Sequence, residues 1–113
     1  MNPGKKGEEL ACRYLQQRGL VVLERNFRLR RGEIDLIMAH GPVLVFVEVK
    51  YRSSQRYGTA LESVTKTKQR RIKLVAAAYL QRFTDLPDVR FDVVGVAPSG
   101  QGHQFTWVKG AFE

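Results

Sequence analysis

The chain has 113 residues, 43% of them hydrophobic and 27% charged, a composition that is typical of a soluble globular protein with one domain over residues 1–113. No apolar run reaches about eighteen residues, so the sequence predicts neither a transmembrane helix nor a membrane partner. Nineteen Lys and Arg residues against eleven Asp and Glu residues give a net charge of +8, which favours nucleic acid as a partner.

The first predicted element is a helix over residues 4–18, because apolar residues recur there at helical spacing and Gly19 follows as a stop signal. Glu8 lies at the N-terminal end of the apolar face. Its carboxylate either joins the acidic site described below or complements the helix dipole, and the sequence favours neither. Cys12, the single cysteine, is expected to fill the core. A lone cysteine and the absence of a signal-peptide core predict a cytoplasmic protein.

Three strands are expected next, over residues 20–29, 33–38 and 43–50. The short His40-Gly41-Pro42 turn predicts that the second and third strands form an antiparallel hairpin. The third strand is so apolar that both of its faces must be covered by other elements.

Two acidic residues and a lysine interrupt the apolar hairpin, namely Asp35 on the second strand and Glu48 and Lys50 on the third. Residues two apart share a face of a strand, so Glu48 and Lys50 point the same way. One alternative is a solvent-facing polar row, but Leu44 and Phe46 on the same face argue against it. Converging carboxylates suit a hard divalent cation, and a nearby lysine can hold a phosphate or a water. This arrangement is that of a metal-dependent phosphodiesterase.

A second helix is predicted over residues 65–83 by a regular apolar stripe. Extending the stripe backwards places Lys68 and Gln69 on the side that faces the sheet. The preceding loop over residues 53–58 carries Tyr57, which either stacks on a base or covers the edge of the core. The remaining predicted elements are strands over residues 90–96 and 104–108, joined by a flexible turn over residues 97–102.

Basic residues crowd on both sides of the acidic site in the sequence. They either form a solvated surface or draw a phosphate backbone towards the site, and contacts of the second kind would be salt-sensitive. The residues predicted to contact nucleic acid are Arg28, Arg30, Arg31, Arg52, Lys66, Lys68, Arg70, Arg71 and Lys73.

The order of elements and the placement of the acids resemble the nuclease superfamily named for its Pro-Asp…(Asp/Glu)-x-Lys motif, which includes restriction enzymes and archaeal Holliday junction resolvases. The chain is more closely similar to the YraN family of small bacterial proteins. The segments Gly32-Glu33-Ile34-Asp35 and Phe46-Val47-Glu48-Val49-Lys50 carry this resemblance, which extends from about Gly4 to Val96. Ile34 stands where the superfamily has its nominal proline, a residue without a chemical role.

The resemblance implies a restriction-endonuclease-like α/β fold, in which helices flank a central mixed sheet in the order α-β-β-β-α-β-β. It implies that Asp35 and Glu48 bind Mg²⁺ or Mn²⁺ and that Lys50 orients or helps to deprotonate the attacking water. Glu8 matches an acid on the first helix that assists metal binding in resolvase-like relatives. Gln69 matches a supporting glutamine of some relatives.

The leading hypothesis is therefore a metal-dependent endonuclease that acts on structured or single-stranded DNA. The alternative from another class is a non-catalytic module with the same fold that holds DNA for recombination or uptake machinery. One compact site needs a second copy to cut both strands at matched positions, which is consistent with a homodimer, although no segment marks an interface.

Overall fold

The computed structural model describes residues 3–52 and 63–113. The elements of these two ranges are α1 (Pro3–Gln16), β1 (Leu20–Leu29), β2 (Gly32–His40), β3 (Val43–Tyr51), α2 (Lys66–Leu80), β4 (Asp88–Ser99) and β5 (Gly102–Phe112). The predicted α/β class and the order of helix, three strands, helix and two strands are confirmed. The predicted loop that contains Tyr57 lies outside the described residues.

The five strands form one mixed sheet in the order β1-β2-β3-β4-β5. Strands β3 and β4 are parallel, and the other neighbouring pairs are antiparallel. Parallel neighbours need a long crossover, which is the part of the chain that contains α2. The hairpin between β2 and β3 forms as predicted, and Gly41 in its turn has the positive φ of 58° that favours glycine.

The two helices cover opposite faces of the sheet. Helix α1 buries Ala11, Cys12 and Leu15 against one face, which we call the α1 side. Helix α2 contributes Ile72, Val75, Ala76 and Tyr79 to the core on the other face, which we call the α2 side. Strand β3 is buried on both faces, as its uninterrupted apolar run predicts.

Helix α1 lies close to the end of β3 because residue 7 is a glycine. A Cβ atom on Gly7 would lie 2.8 Å from the Cβ atom of Tyr51, a distance too short for two carbon atoms. The lack of a side chain at this position therefore lets the start of α1 approach the strand that carries Glu48 and Lys50.

Several predicted boundaries are wrong. The first helix ends at Gln16 rather than at residue 18, and β2, β4 and β5 are longer than predicted. The second helix ends at Leu80 rather than at Phe83, because the chain continues as a turn in which the Phe83 N–H donates to Leu80 O at 3.1 Å. Phe83 still packs on the α2-side core, which is why the apolar stripe extends to it. The predicted turn over residues 97–102 is shorter, since β4 continues to Ser99 and pairs with Gly102 of β5. Neither helix in the described part of the chain has the length and apolarity needed to span a membrane.

Candidate metal centre

The candidate site lies where strands β2 and β3 separate. Their register ends at the pair Leu36–Val47, so the next residue on each strand is Asp35 or Glu48. Asp35 is also left out of the pairing between β1 and β2. Its opposite residue there, Asn26, has a φ of 50°, which interrupts the extended backbone of β1. Asp35 instead uses its side chain, and its Oδ2 accepts a hydrogen bond from the Val49 N–H at 2.8 Å. The opening of the sheet therefore brings this carboxyl beside the end of β3.

The two acids form a pair on the α2 side, in which Glu48 is buried and Asp35 is half-buried. Glu48 is only 3% exposed and lies on the same strand face as Leu44 and Phe46, which belong to the α2-side core. Burial, a hydrogen bond to Glu48 and the charge of Glu48 together raise the pKa of Asp35 from 3.8 to about 9. At neutral pH the pair therefore holds a proton, because partial burial and the neighbouring charge of Glu48 both disfavour the ionised form of Asp35.

Two lysines adjoin the acid pair. Lys68, in the first turn of α2, places its Nζ 2.5 Å from Glu48 Oε2. Among the described residues, the buried Oε2 of Glu48 has this ion pair and no hydrogen bond. Burial and the neighbouring ammonium of Lys68 lower the pKa of Lys50. Burial also acts to lower the pKa of Lys68, but its contacts with Glu48 and Lys50 and its attraction to the acids raise it overall.

The donor set of this site fits a hard divalent cation. Two carboxyls meet, one of them protonated, and one carboxyl oxygen of Glu48 is buried with an ion pair to Lys68 but no hydrogen bond from any described residue. Oxygen donors of this kind are those that Mg²⁺ and Mn²⁺ prefer. The described residues contain no group of three or more acids, histidines or cysteines close enough to hold a metal ion, so a cation here would complete its shell with water or substrate.

Glu8 is not brought into the acid pair. Its Oε1 accepts a hydrogen bond from Asn26 Nδ2 at 2.6 Å, and the pair of side chains borders a neighbouring cavity that also contains Glu33. Glu8 nevertheless adds a repulsive charge to Asp35. Its predicted role as a metal ligand stays a prediction, and in this conformation its contact is to Asn26.

Gln69 also makes a contact outside the acid pair. Its Nε2 donates to the Val64 carbonyl at 3.1 Å, and Val64 is buried in the α2-side core. The side chain therefore ties the start of α2 to the residue that precedes it. Gln69 supports the position of Lys68, and its predicted contribution at the site stays a prediction.

The acid pair opens into a cavity of about 300 Å³ between the sheet and α2. Its lining consists of Asp35, Glu48 and Lys68 together with Gly32, Glu33, Arg71 and Ile72.

The structure brings some of the predicted nucleic-acid contacts together beside this cavity. An adjoining open cleft is lined by Arg28, Arg30, Arg31 and Arg71, so the two basic clusters of the sequence meet there. Arg28 is also 3.3 Å from Glu33 in an ion pair. Three other predicted contacts, Lys66, Arg70 and Lys73, are exposed on α2, and among the described residues they line neither the cavity nor the cleft. Arg52 directly follows β3, and its backbone N–H donates to Val96 O at 2.8 Å.

Sequence reasoning did not identify two features of the site. Glu33, which precedes Asp35 by two residues, lines both the acidic cavity and the adjoining cleft, and its place in the Gly-Glu-Ile-Asp segment was the available signal. The ion pair between Lys68 and Glu48 joins residues on separate elements, and no local pattern indicates it.

The fold and site define a class of protein, namely an α/β protein with a largely buried carboxyl pair at the end of its central strands. The model of the uncharacterised protein family UPF0102 matches residues 7–96. The chain belongs to that family, and the predicted similarity to YraN proteins is confirmed.

Its relatives support this membership along nearly the full chain. A UPF0102 protein of Methylococcus capsulatus is 48% identical over 110 residues, which are 97% of this chain and 89% of the relative. A UPF0102 protein of a Janthinobacterium strain is 47% identical over 97% of this chain and 86% of the relative. Among solved structures, SfsA of Pyrococcus furiosus in complex with Ca²⁺ is matched at a TM-score of 0.38 and 13% identity. The match covers 95% of this chain but 62% of the SfsA chain, and it is too weak to carry an argument.

Proposed function

We propose that this protein is an endonuclease that hydrolyses phosphodiester bonds in structured or single-stranded DNA with the help of Mg²⁺ or Mn²⁺. The observation that carries the proposal is the pair of a buried Glu48 and a half-buried Asp35, in which the pKa of Asp35 is raised to about 9. Withdrawing carboxyls from water is costly even beside lysines, and a fold that needed only stability would not place two of them together.

Asp35 and Glu48 are the residues that would hold the metal ion. The Val49 N–H fixes the Asp35 carboxyl at 2.8 Å, and the surrounding core fixes Glu48. A bound Mg²⁺ or Mn²⁺ supplies a lowered pKa for a coordinated water and a positive charge beside the scissile phosphate. The same arrangement of acids is what the Pro-Asp…(Asp/Glu)-x-Lys nuclease superfamily requires, and the mixed sheet flanked by helices is consistent with its fold.

In this proposal Lys50 acts on the attacking water. It shares a strand face with Glu48 and contacts Lys68, and burial together with that neighbour lowers the pKa of its amine. A lowered pKa increases the fraction of neutral amine, which is the form that can accept a proton from water, and the charged form would stabilise the negative charge that develops on the phosphate.

The basic cleft supplies a path for the rest of the substrate. Arg30, Arg31 and Arg71 line a surface continuous with the acidic cavity through Gly32 and Glu33. Cationic side chains on both sides of an acidic centre would hold the phosphates next to the scissile one, and this binding would weaken with salt.

Cleavage of labelled duplex, single-stranded, flap and four-way-junction DNA in Mg²⁺ and Mn²⁺ tests the proposal. The wild type is expected to cut at least one form, and Glu48→Gln and Lys50→Ala are expected to lose that activity. Glu9→Gln is a matched control, since Glu9 is an exposed acid paired with Arg25 at 2.7 Å. Equal cutting by all proteins would indicate a contaminant. Tight DNA binding without cutting would favour the non-catalytic DNA-holding module.

A further inference from the structure

Lys68 occupies a fixed place at the start of α2. Thr65 caps this helix, and its hydroxyl accepts a hydrogen bond from the Lys68 N–H at 3.2 Å. The capped turn directs the Lys68 side chain towards the sheet, where its Nζ lies 2.5 Å from Glu48 Oε2. The ammonium thus contacts the buried oxygen of Glu48 that receives no hydrogen bond within residues 3–52 and 63–113.

The two partners of this ion pair differ in their freedom to move. The Glu48 side chain is 4% exposed, whereas that of Lys68 is 41% exposed. Glu48 is held within the sheet, but Lys68 can turn outward into the cavity beside Arg71. If the contact breaks, the lysine is the partner that leaves.

A lysine ammonium and a divalent cation compete for one carboxylate oxygen. A metal ion that binds such an oxygen lies about 2.0–2.6 Å from it, which is the distance at which Lys68 Nζ already lies. Two cations at that range from one oxygen would repel each other strongly in a partly buried site. Metal binding at Glu48 Oε2 therefore requires Lys68 to withdraw.

We infer that Lys68 is the counter-ion of Glu48 in the metal-free site. A divalent cation that binds Glu48 displaces the Lys68 ammonium, which then turns towards the basic cleft lined by Arg30, Arg31 and Arg71. This inference rests on the proposed metal site. It identifies Lys68 as a positioning residue that sets the affinity for the metal, and it couples metal binding to the appearance of a free cation where phosphates would lie.

Mn²⁺ affinity, measured by calorimetry on the metal-free protein without DNA, tests the inference through three variants. Lys68→Gln removes the competing charge and is expected to tighten the Kd for Mn²⁺ on the order of tenfold. Lys68→Arg keeps the charge and is expected to bind close to the wild type. Lys66→Gln makes the same charge change at an exposed position two residues away and is expected to change the Kd far less.

A second measurement uses the wild type alone, in case Lys68→Gln fails to fold with an uncompensated Glu48. Acetic anhydride labelling followed by mass spectrometry reports the reactivity of each lysine. Addition of Mn²⁺ is expected to increase the labelling of Lys68 several-fold and to leave that of Lys66 unchanged.

The outcomes separate this inference from the proposed function. If the wild type binds Mn²⁺ but Lys68→Gln binds it no more tightly, and Lys68 labelling does not rise, the inference is wrong and the metal site stands. If neither the wild type nor any variant binds Mn²⁺, the proposed function and the inference fail together.

Discussion

Asp35→Asn removes a carboxyl whose pKa is raised by burial and by Glu48, from 3.8 to about 9. Between these two pH values the folded protein holds one more proton than the unfolded chain, so the free energy of unfolding falls as pH rises. The stabilising contribution is complete below pH 3.8 and is lost progressively up to pH 9. Asparagine stays neutral throughout and can still accept the Val49 N–H. The variant is therefore expected to be more stable than the metal-free wild type at neutral pH.

The size of this effect follows from the same pKa. One pKa unit corresponds to about 1.4 kcal/mol, so the interval from pH 3.8 to pH 7 gives a difference of at most about 4 kcal/mol in favour of Asp35→Asn. For a domain of this size, each kcal/mol shifts the Tm by about 4 °C. The difference should vanish near pH 4 and be largest near pH 9.

Thermal unfolding in EDTA from pH 4 to pH 9 is the assay, repeated with Mn²⁺. Added metal should raise the Tm of the wild type and leave that of Asp35→Asn nearly unchanged, because the variant lacks a charged ligand. Glu9→Gln is the control, since its ion pairs with Arg25 and Arg13 lower the pKa of Glu9 and removing it should not stabilise the protein. This reasoning would be refuted if the stability of the wild type stayed constant or rose from pH 5 to pH 9. It would also be refuted if Asp35→Asn were less stable than the wild type at pH 7.

Three further predictions follow from the site. Because a metal ion must replace the proton of Asp35, the apparent affinity for Mn²⁺ should rise by up to about tenfold per pH unit below pH 9. Calorimetry measures this affinity, and an affinity that did not change between pH 6 and pH 8 would contradict the prediction. Arg71→Gln should lower the slope of log DNA affinity against log salt by about 1, whereas Arg13→Gln, on the exposed surface of α1, should leave it unchanged; equal slopes for both variants would remove Arg71 from the phosphate path. Gly7→Ala should cost about 1–3 kcal/mol in urea unfolding, because its Cβ would lie 2.8 Å from that of Tyr51, and a neutral result would mean that α1 is not held tightly against β3.

Much of the fold could be predicted from local patterns. The apolar stripe of α2, the uninterrupted β3 and the short turn at Gly41 each carry a periodicity or a backbone requirement that acts within a few residues. The ends of elements were less accessible. Phe83 continues the apolar stripe and packs on the core, although the helix has already ended at Leu80.

The acid pair was predictable because the hairpin is local. A short turn fixes the register of β2 against β3, and this places Asp35 beside Glu48. The contacts of Lys68 with Glu48 and of Asn26 with Glu8 were not predictable in the same way. They depend on how each helix lies across the sheet, and they join side chains 20 and 18 residues apart in the sequence. Single-sequence patterns carry no information about such packing.

Anomalous diffraction from crystals grown with Mn²⁺ would locate the metal most directly. We expect an anomalous peak in contact with the carboxylates of both Asp35 and Glu48, and we expect no such peak in crystals of Glu48→Gln. A well-occupied peak at Glu8, Glu9 or Glu33 instead, or no peak at Mn²⁺ concentrations that support any DNA cleavage, would contradict the assignment of this acid pair as the metal centre.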